Sequence, residues 1–112
     1  MEGTRLSKVS RQIQKDLGEI FQKQTAALFQ GKMVTVTSVR VSPDLGLAKV
    51  YVSIFPSENK EATLHIIKQN TKTIRHELAQ RIRNQMRIVP DLAFYIDDSL
   101  DYIENIDRLL NE

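Results

Sequence analysis

The chain has 112 residues, 41% hydrophobic and 27% charged, enough for one folded domain with its own core. Cysteine is absent and no apolar run approaches the ~18–20 residues of a membrane span, which excludes a disulfide framework, thiolate chemistry and a spanning helix. The net charge of +2 hides an asymmetry: residues 1–90 carry 15 Lys and Arg against 7 Asp and Glu, whereas residues 91–112 carry only Arg108 against 7 acids.

A small basic body points first to a polyanion, most often nucleic acid. Met1 to Lys8 lacks the apolar core of a signal peptide, so none is expected.

Leu6, Val9, Ile13, Leu17, Ile20, Phe21 and Leu28 recur at three- and four-residue steps. That spacing predicts an amphipathic helix from about Thr4, its candidate cap, to Phe29. Gly18 interrupts it at a cost of about 1 kcal/mol. Arg5, Lys8, Arg11 and Lys15 share the opposite face, with Gln12 and Gln22 among them. Gly31 and Lys32 read as the stop and exit.

Residues 33–42 are β-branched and read as a strand. Val34 and Val36 alternate on one face, Val39 and Val41 on the other, so either both faces are partly buried or a bulge near Thr37-Ser38 switches the phase. Pro43-Asp44-Leu45-Gly46 is a turn signal. Residues 47–55 form a second strand, with Ala48, Val50, Val52 and Ile54 facing one way and Lys49, Tyr51, Ser53 and Phe55 the other. The short connection makes an antiparallel hairpin the default.

A helix follows from about Lys60, with Ser57 to Asn59 offering caps. The polar run Gln69-Asn70-Thr71-Lys72-Thr73 predicts a kink or break, because three of its residues favour caps over helix interiors. A second helix then runs to about Met86 on a buried ridge of Ile74, Leu78, Ile82 and Met86. Lys72, His76, Gln80, Arg83 and Arg87 form a second basic stripe, within about 80° at 100° per residue. Val89-Pro90 ends it, and Leu92 to Asp97 alternates as a third strand. Asp98 or Ser99 caps a last, acidic helix through Leu100, Ile103, Ile106 and Leu110.

The element order predicts an α+β domain whose helices pack on one side of a three-stranded sheet. The other side would show Tyr51 and the Thr-rich positions of strand one. Tyr51 and Tyr95 read either as rings that stack on bases or as edges of the core, and core edges are the preferred reading. The scarcity of aromatics argues against sequence reading by base stacking and for backbone and shape recognition of structured RNA. Enzyme chemistry finds no support. His65 and His76 are eleven positions apart with no Cys, Asp97, Asp98 and Asp101 lack an EF-hand spacing, and the glycines make no phosphate loop. No catalytic residue, metal or cofactor is expected.

Two stretches bring a family into view. Ser42-Pro43-Asp44-Leu45-Gly46-Leu47-Ala48-Lys49-Val50-Tyr51-Val52-Ser53 resembles the hairpin of bacterial ribosome-binding factor A. Arg87-Ile88-Val89-Pro90-Asp91-Leu92-Ala93-Phe94, followed by Asp97 and Ser99, resembles its third-strand region. The Arg5 to Val9 opening and the Gln14-Lys15-Asp16-Leu17 turn fit as well, so the likeness spans nearly the whole chain. It implies a type II KH-like fold of order α-β-β-α-kink-α-β plus a C-terminal helix. Residues 1–98 would form the KH-like RNA-binding domain and residues 99–112 an acidic helix or tail.

Nothing in the sequence demands more than a monomer, and the resemblance implies a cytoplasmic, non-enzymatic factor. It would bind the small (30S) ribosomal subunit and its 16S rRNA during late maturation and 5′-end processing, most needed in the cold. Ribosomal proteins or an assembly GTPase are further partners in view; a membrane is not. KH domains clamp nucleic acid with a Gly-x-x-Gly loop; this family uses a helix–kink–helix through a small residue followed closely by Gly. Here the stretch is Asn70-Thr71-Lys72, without Gly. Residues Arg83 to Met86 also run about two positions beyond the family's usual helix end.

The expected mechanism is electrostatic docking of rRNA phosphates on Arg5, Lys8, Arg11, Lys15, Lys68, Lys72, Arg75, Arg83 and Arg87, with the kink at Asn70 and Thr71. The alternative is a KH-like protein-interaction module whose basic face meets an acidic protein. The acidic tail has three readings: docking on the domain, contacting a basic ribosomal protein, or shielding the basic face.

Overall fold

The computed structural model describes residues 2–24, 28–29, 31–56 and 58–97, with side chains from residue 6 onward. The C-terminal helix expected over 99–112, its Asp98 and Ser99 caps, the Ser57 cap and the Arg5 side chain lie outside the described residues.

Helix α1 spans Glu2–Gln24. It begins two residues before Thr4, so Thr4 lies within the first turn and is not a cap. Gly18 does not interrupt it. It buries Ile13, Leu17, Ile20 and Phe21. The helix stops five residues short of the expected Phe29, for a reason of phase. Continued at 100° per residue, it would turn Phe29 toward the face of Arg11 and into water. Instead Leu28 and Phe29 donate backbone hydrogen bonds to the Gln24 carbonyl (2.8 and 3.3 Å), and Phe29 packs edge-on against Phe21 with centroids 5.7 Å apart. Gly31, at φ 87°, takes a left-handed conformation open to glycine just before β1.

Strands β1 (Met33–Val41) and β2 (Leu47–Phe55) pair antiparallel, and β3 (Asp91–Ile96) runs parallel to β2, giving the order β1-β2-β3. The register of β1 shifts between Val36 and Ser38. This is the expected bulge. It turns Val34, Val36 and Val39 to the core together, which strict alternation could not do. The extra residue, Thr37, donates from its hydroxyl to Asp97 Oδ2 (2.7 Å) and to the Tyr51 carbonyl (3.2 Å), tying the bulge to the end of β3. Gln14 of α1 donates to the Val36 and Thr37 carbonyls (3.2 and 3.3 Å), so β1's bulged backbone is also anchored to the helix.

The hairpin turn is closed by side chains. Ser42 Oγ donates to Asp44 Oδ1 (2.7 Å), which also accepts from the Gly46 amide (2.9 Å); the Leu47 amide donates to Ser42 Oγ (3.0 Å). Gly46 passes the order on to β3, since the Asp91 amide donates to its carbonyl (3.0 Å).

Helices α2 (Lys60–Gln69) and α3 (Thr71–Ile82) cross over from β2 to β3. Asn59 caps α2 through its backbone, in a left-handed conformation and with no side-chain cap bond. Ile67, Ile74, Leu78 and Ile82 join the β-strand valines, Leu92 and Phe94 in one core under the helices. The core face of each strand looks to the helices, and among the described residues no element covers the opposite face, as the element order required.

Candidate nucleic-acid interface

The helical cations stand opposite buried ridges. On α1, Lys8, Arg11 and Lys15 are exposed and spread over about 10 Å of axis. Lys68 lies in the last turn of α2 and Lys72 in the first turn of α3, so this pair brackets the junction; both are exposed. Arg83 caps the other end of α3, about 16 Å further along the axis. Among the described residues, Lys8, Arg11, Lys15, Lys68, Lys72, Arg83 and Arg87 have no ion-pair partner. Arg5 lies in α1, but its side chain is outside the described residues.

The junction follows the sequence in place and differs in detail. Asn70 sits at φ −104°, ψ 15°, in the bridge region and not the left-handed one. Its side-chain amide does not cap α3. It donates back to the Ile66 carbonyl (2.8 Å), while its backbone N–H is shared between the Ile66 and Ile67 carbonyls. Thr71 Oγ1 donates to Lys68 O (2.8 Å). Polar side chains thus satisfy the carbonyls a helix end leaves open, and the bend needs no glycine.

Two expectations for α3 need correction. The helix ends at Ile82, four residues before Met86, so Arg87 does not belong to the helical stripe; it is exposed in the connection to β3. The ridge still closes, because the Met86 amide donates to Ile82 O (2.9 Å) and its side chain packs against the core. Arg75 is half-exposed but engaged within the fold. Its Nη2 donates to Val89 O (2.7 Å), its Nε to Pro90 O (3.1 Å), and Nε stands 3.5 Å from Asp91 Oδ1. Those carbonyls precede β3 and have no strand partner there, so the guanidinium fork supplies the bonds the proline-containing segment lacks.

Arg81 was not among the expected site residues. It bonds Glu19 and stands 3.9 Å from Asp16 Oδ1, joining α3 to α1. Asp16 is buried and also accepts from Gln12 Nε2 (2.9 Å). This clamp brings the C-terminal end of α3, where Arg83 sits, beside the α1 turn that carries Lys15. These seven unpaired cations therefore fall into an α1–Arg83 group and the Lys68–Lys72 pair at the kink, with Arg87 apart in the connection to β3. An acid at position 16 amid basic neighbours was the available signal in the sequence.

The uncovered sheet face departs further from expectation. Tyr51 and Tyr95 are not core edges. They pair in register and stack on each other there, with ring centroids 5.5 Å apart and planes 29° apart, Tyr95 43% exposed. Arg40 and Lys49, also paired in register, occupy the next row. The alternation that sets Lys49 and Tyr51 on one face was the signal; the bulge puts Arg40 there as well.

Comparison with known proteins follows the same lines. A family model described as ribosome-binding factor A matches residues 5–110. The ribosome-binding factor A of Cytophaga hutchinsonii is 45% identical over the full chain, which covers 84% of that protein. The crystal structure of ribosome-binding factor A from Thermus thermophilus superposes with a TM-score of 0.68 at 29% identity, covering 81% of this chain and 94% of that one. A Thermus thermophilus ribosome-binding factor A homology model, fitted into a cryo-EM map of its 30S complex, gives a TM-score of 0.64 at 30% identity, over 80% of this chain and 91% of that one. With a match over almost its whole length and the same arrangement of helices on a three-stranded sheet, the chain belongs to the ribosome-binding factor A family.

Proposed function

We propose that this protein is a cytoplasmic assembly factor that binds the 30S subunit through its 16S rRNA during late maturation, when the 5′ end is processed. It acts without catalysis, as a monomer, and is most needed in the cold. The relative whose coordinates were fitted into a 30S complex supports the subunit as partner. The observation that carries the RNA reading is the set of exposed cations Lys8, Arg11, Lys15, Lys68, Lys72, Arg83 and Arg87, which have no ion-pair partner among the described residues. Such groups exchange condensed counterions for phosphates, which makes binding salt-dependent. Arg5 extends the α1 set, and Arg75 contributes with whatever donor capacity its carbonyl bonds leave. Occupying an incompletely folded rRNA region would favour one conformer until maturation ends.

The test is binding to purified 30S subunits and to 16S rRNA fragments across a salt series. With about five phosphates neutralised, affinity falls roughly 3–4 log units per tenfold rise in salt, on the single-strand slope. Lys72→Glu with Arg83→Glu weakens binding and leaves thermal stability nearly unchanged. Salt-insensitive binding overturns the reading. Capture of an acidic protein that survives RNase selects the protein-interaction alternative instead.

A further inference from the structure

The sheet face away from the helices is ordered in rows by the strand register. Ser38, Tyr51 and Tyr95 form one row; Arg40, Lys49 and Ala93 form the next, about 6–7 Å along the strands. A recess of about 300 Å³ opens between them, lined by Ser38, Arg40, Tyr51 and Asp97. Two features of this face are unfavourable for a protein that only folds. Arg40 and Lys49 stand directly opposite each other, and like charges in that position destabilise a sheet pair. Neither has an ion-pair partner among the described residues; Asp97, the nearby acid, accepts the Thr37 hydroxyl. Tyr95 also leaves much of a large aromatic ring in water.

An anion laid across the cationic row relieves the first cost, and a flat apolar surface laid on the tyrosine pair relieves the second. Unpaired RNA supplies both at about this spacing, because each nucleotide carries a phosphate and a base with a π-face. A duplex would offer phosphates but no free base face. We propose that the open sheet face is a second RNA-binding surface, taking a short single-stranded segment with a base stacked on Tyr95 and Tyr51 and adjacent phosphates on Arg40 and Lys49. It rests on RNA being the partner, but not on Lys68, Lys72 or Arg83; Arg11 of α1 lines a recess with Arg40 at the β1 edge.

The full chain contains no Trp and three Tyr, so a Tyr102→Phe background leaves Tyr51 and Tyr95 as the only tyrosine emitters. Titration with an unstructured oligouridine is expected to quench that emission as it binds. Tyr95→Ala is expected to weaken oligouridine binding by roughly tenfold, with Tyr95→Phe close to wild type. Arg40→Gln with Lys49→Gln, both surface changes, should lower the salt slope by about 1.4. Lys72→Glu with Arg83→Glu should weaken 30S binding without removing the tyrosine quench.

Unchanged oligouridine affinity in the Arg40/Lys49 variant, or binding without quench, overturns the second surface. If 30S binding stays salt-dependent and sensitive to Lys72 and Arg83 in that case, the proposed function stands. If wild-type protein binds no RNA of either kind, both fail.

Discussion

Asp16 and Arg81 hold the two cation-bearing helices in one fixed relation: Arg81 Nη1 lies 3.9 Å from Oδ1 of a carboxylate whose side chain is only 10% exposed. The same nitrogen bonds Glu19, and Gln12 bonds the other Asp16 oxygen. Removing the guanidinium strands a largely buried charge, which costs more than the pair contributes when intact. Arg81→Met is expected to destabilise the fold by about 1–3 kcal/mol, read as a lowered urea midpoint. An unchanged midpoint would mean the clamp carries no stability.

Arg75 separates structure from binding. Its fork holds the Val89 and Pro90 carbonyls at the start of β3. Arg75→Gln is therefore expected to lower stability by about 1–2 kcal/mol while changing the salt slope of RNA binding by less than Lys72→Gln does. Denaturation and binding measured on the same two variants decide it.

The α1 cations behave in the opposite way. Lys8→Gln, Arg11→Gln and Lys15→Gln are each expected to reduce the salt slope by about 0.7–0.9 and to leave the melting temperature within a degree or two. A large loss of melting temperature in any of them would reveal a structural role that their exposure does not suggest.

The kink is built on a side chain, not on conformational freedom. Asn70 has φ −104°, where glycine offers no relief, and its amide bonds Ile66 O. Asn70→Gly is expected to destabilise by about 1 kcal/mol, from the lost bond and the added unfolded-state entropy. A stabilised Asn70→Gly variant in thermal unfolding would show that the bend is strained after all.

The hairpin turn carries the acid response. The Ser42 hydroxyl, then the Gly46 amide, hold the Asp44 carboxyl below its ordinary range. The folded turn therefore favours the carboxylate. Its contribution is complete above the unfolded carboxyl pKa and is lost as pH falls through the lowered folded value. An NMR titration of the Gly46 amide should report that low midpoint, and Asp44→Asn should abolish it.

Periodicity made much of the fold legible. The spacing of Ile13, Leu17 and Ile20, the alternation of Ala48, Val50, Val52 and Ile54, and the phase change at Thr37-Ser38 each name the buried face, because burial selects apolar residues at the period of the element. Element ends were less legible. The expected helix reaches Phe29, yet the observed one stops at Gln24 and the core takes Phe29 only off the helix. Arg83 and Arg87 read as one stripe, yet the helix stops at Ile82.

The sequence alone determined the α+β order, the faces of α1 and of β2, and which cations face away from the core on α1. These follow from local geometry, in which each residue's direction is set by its neighbours. Only the tertiary structure decided that Arg75 and Arg81 act as internal struts, and that Tyr51 meets Tyr95 beside Arg40 and Lys49 on the open face. Those outcomes depend on which carbonyls, carboxylates and strand partners arrive from tens of residues away, and long-range pairing leaves no periodic trace along the chain.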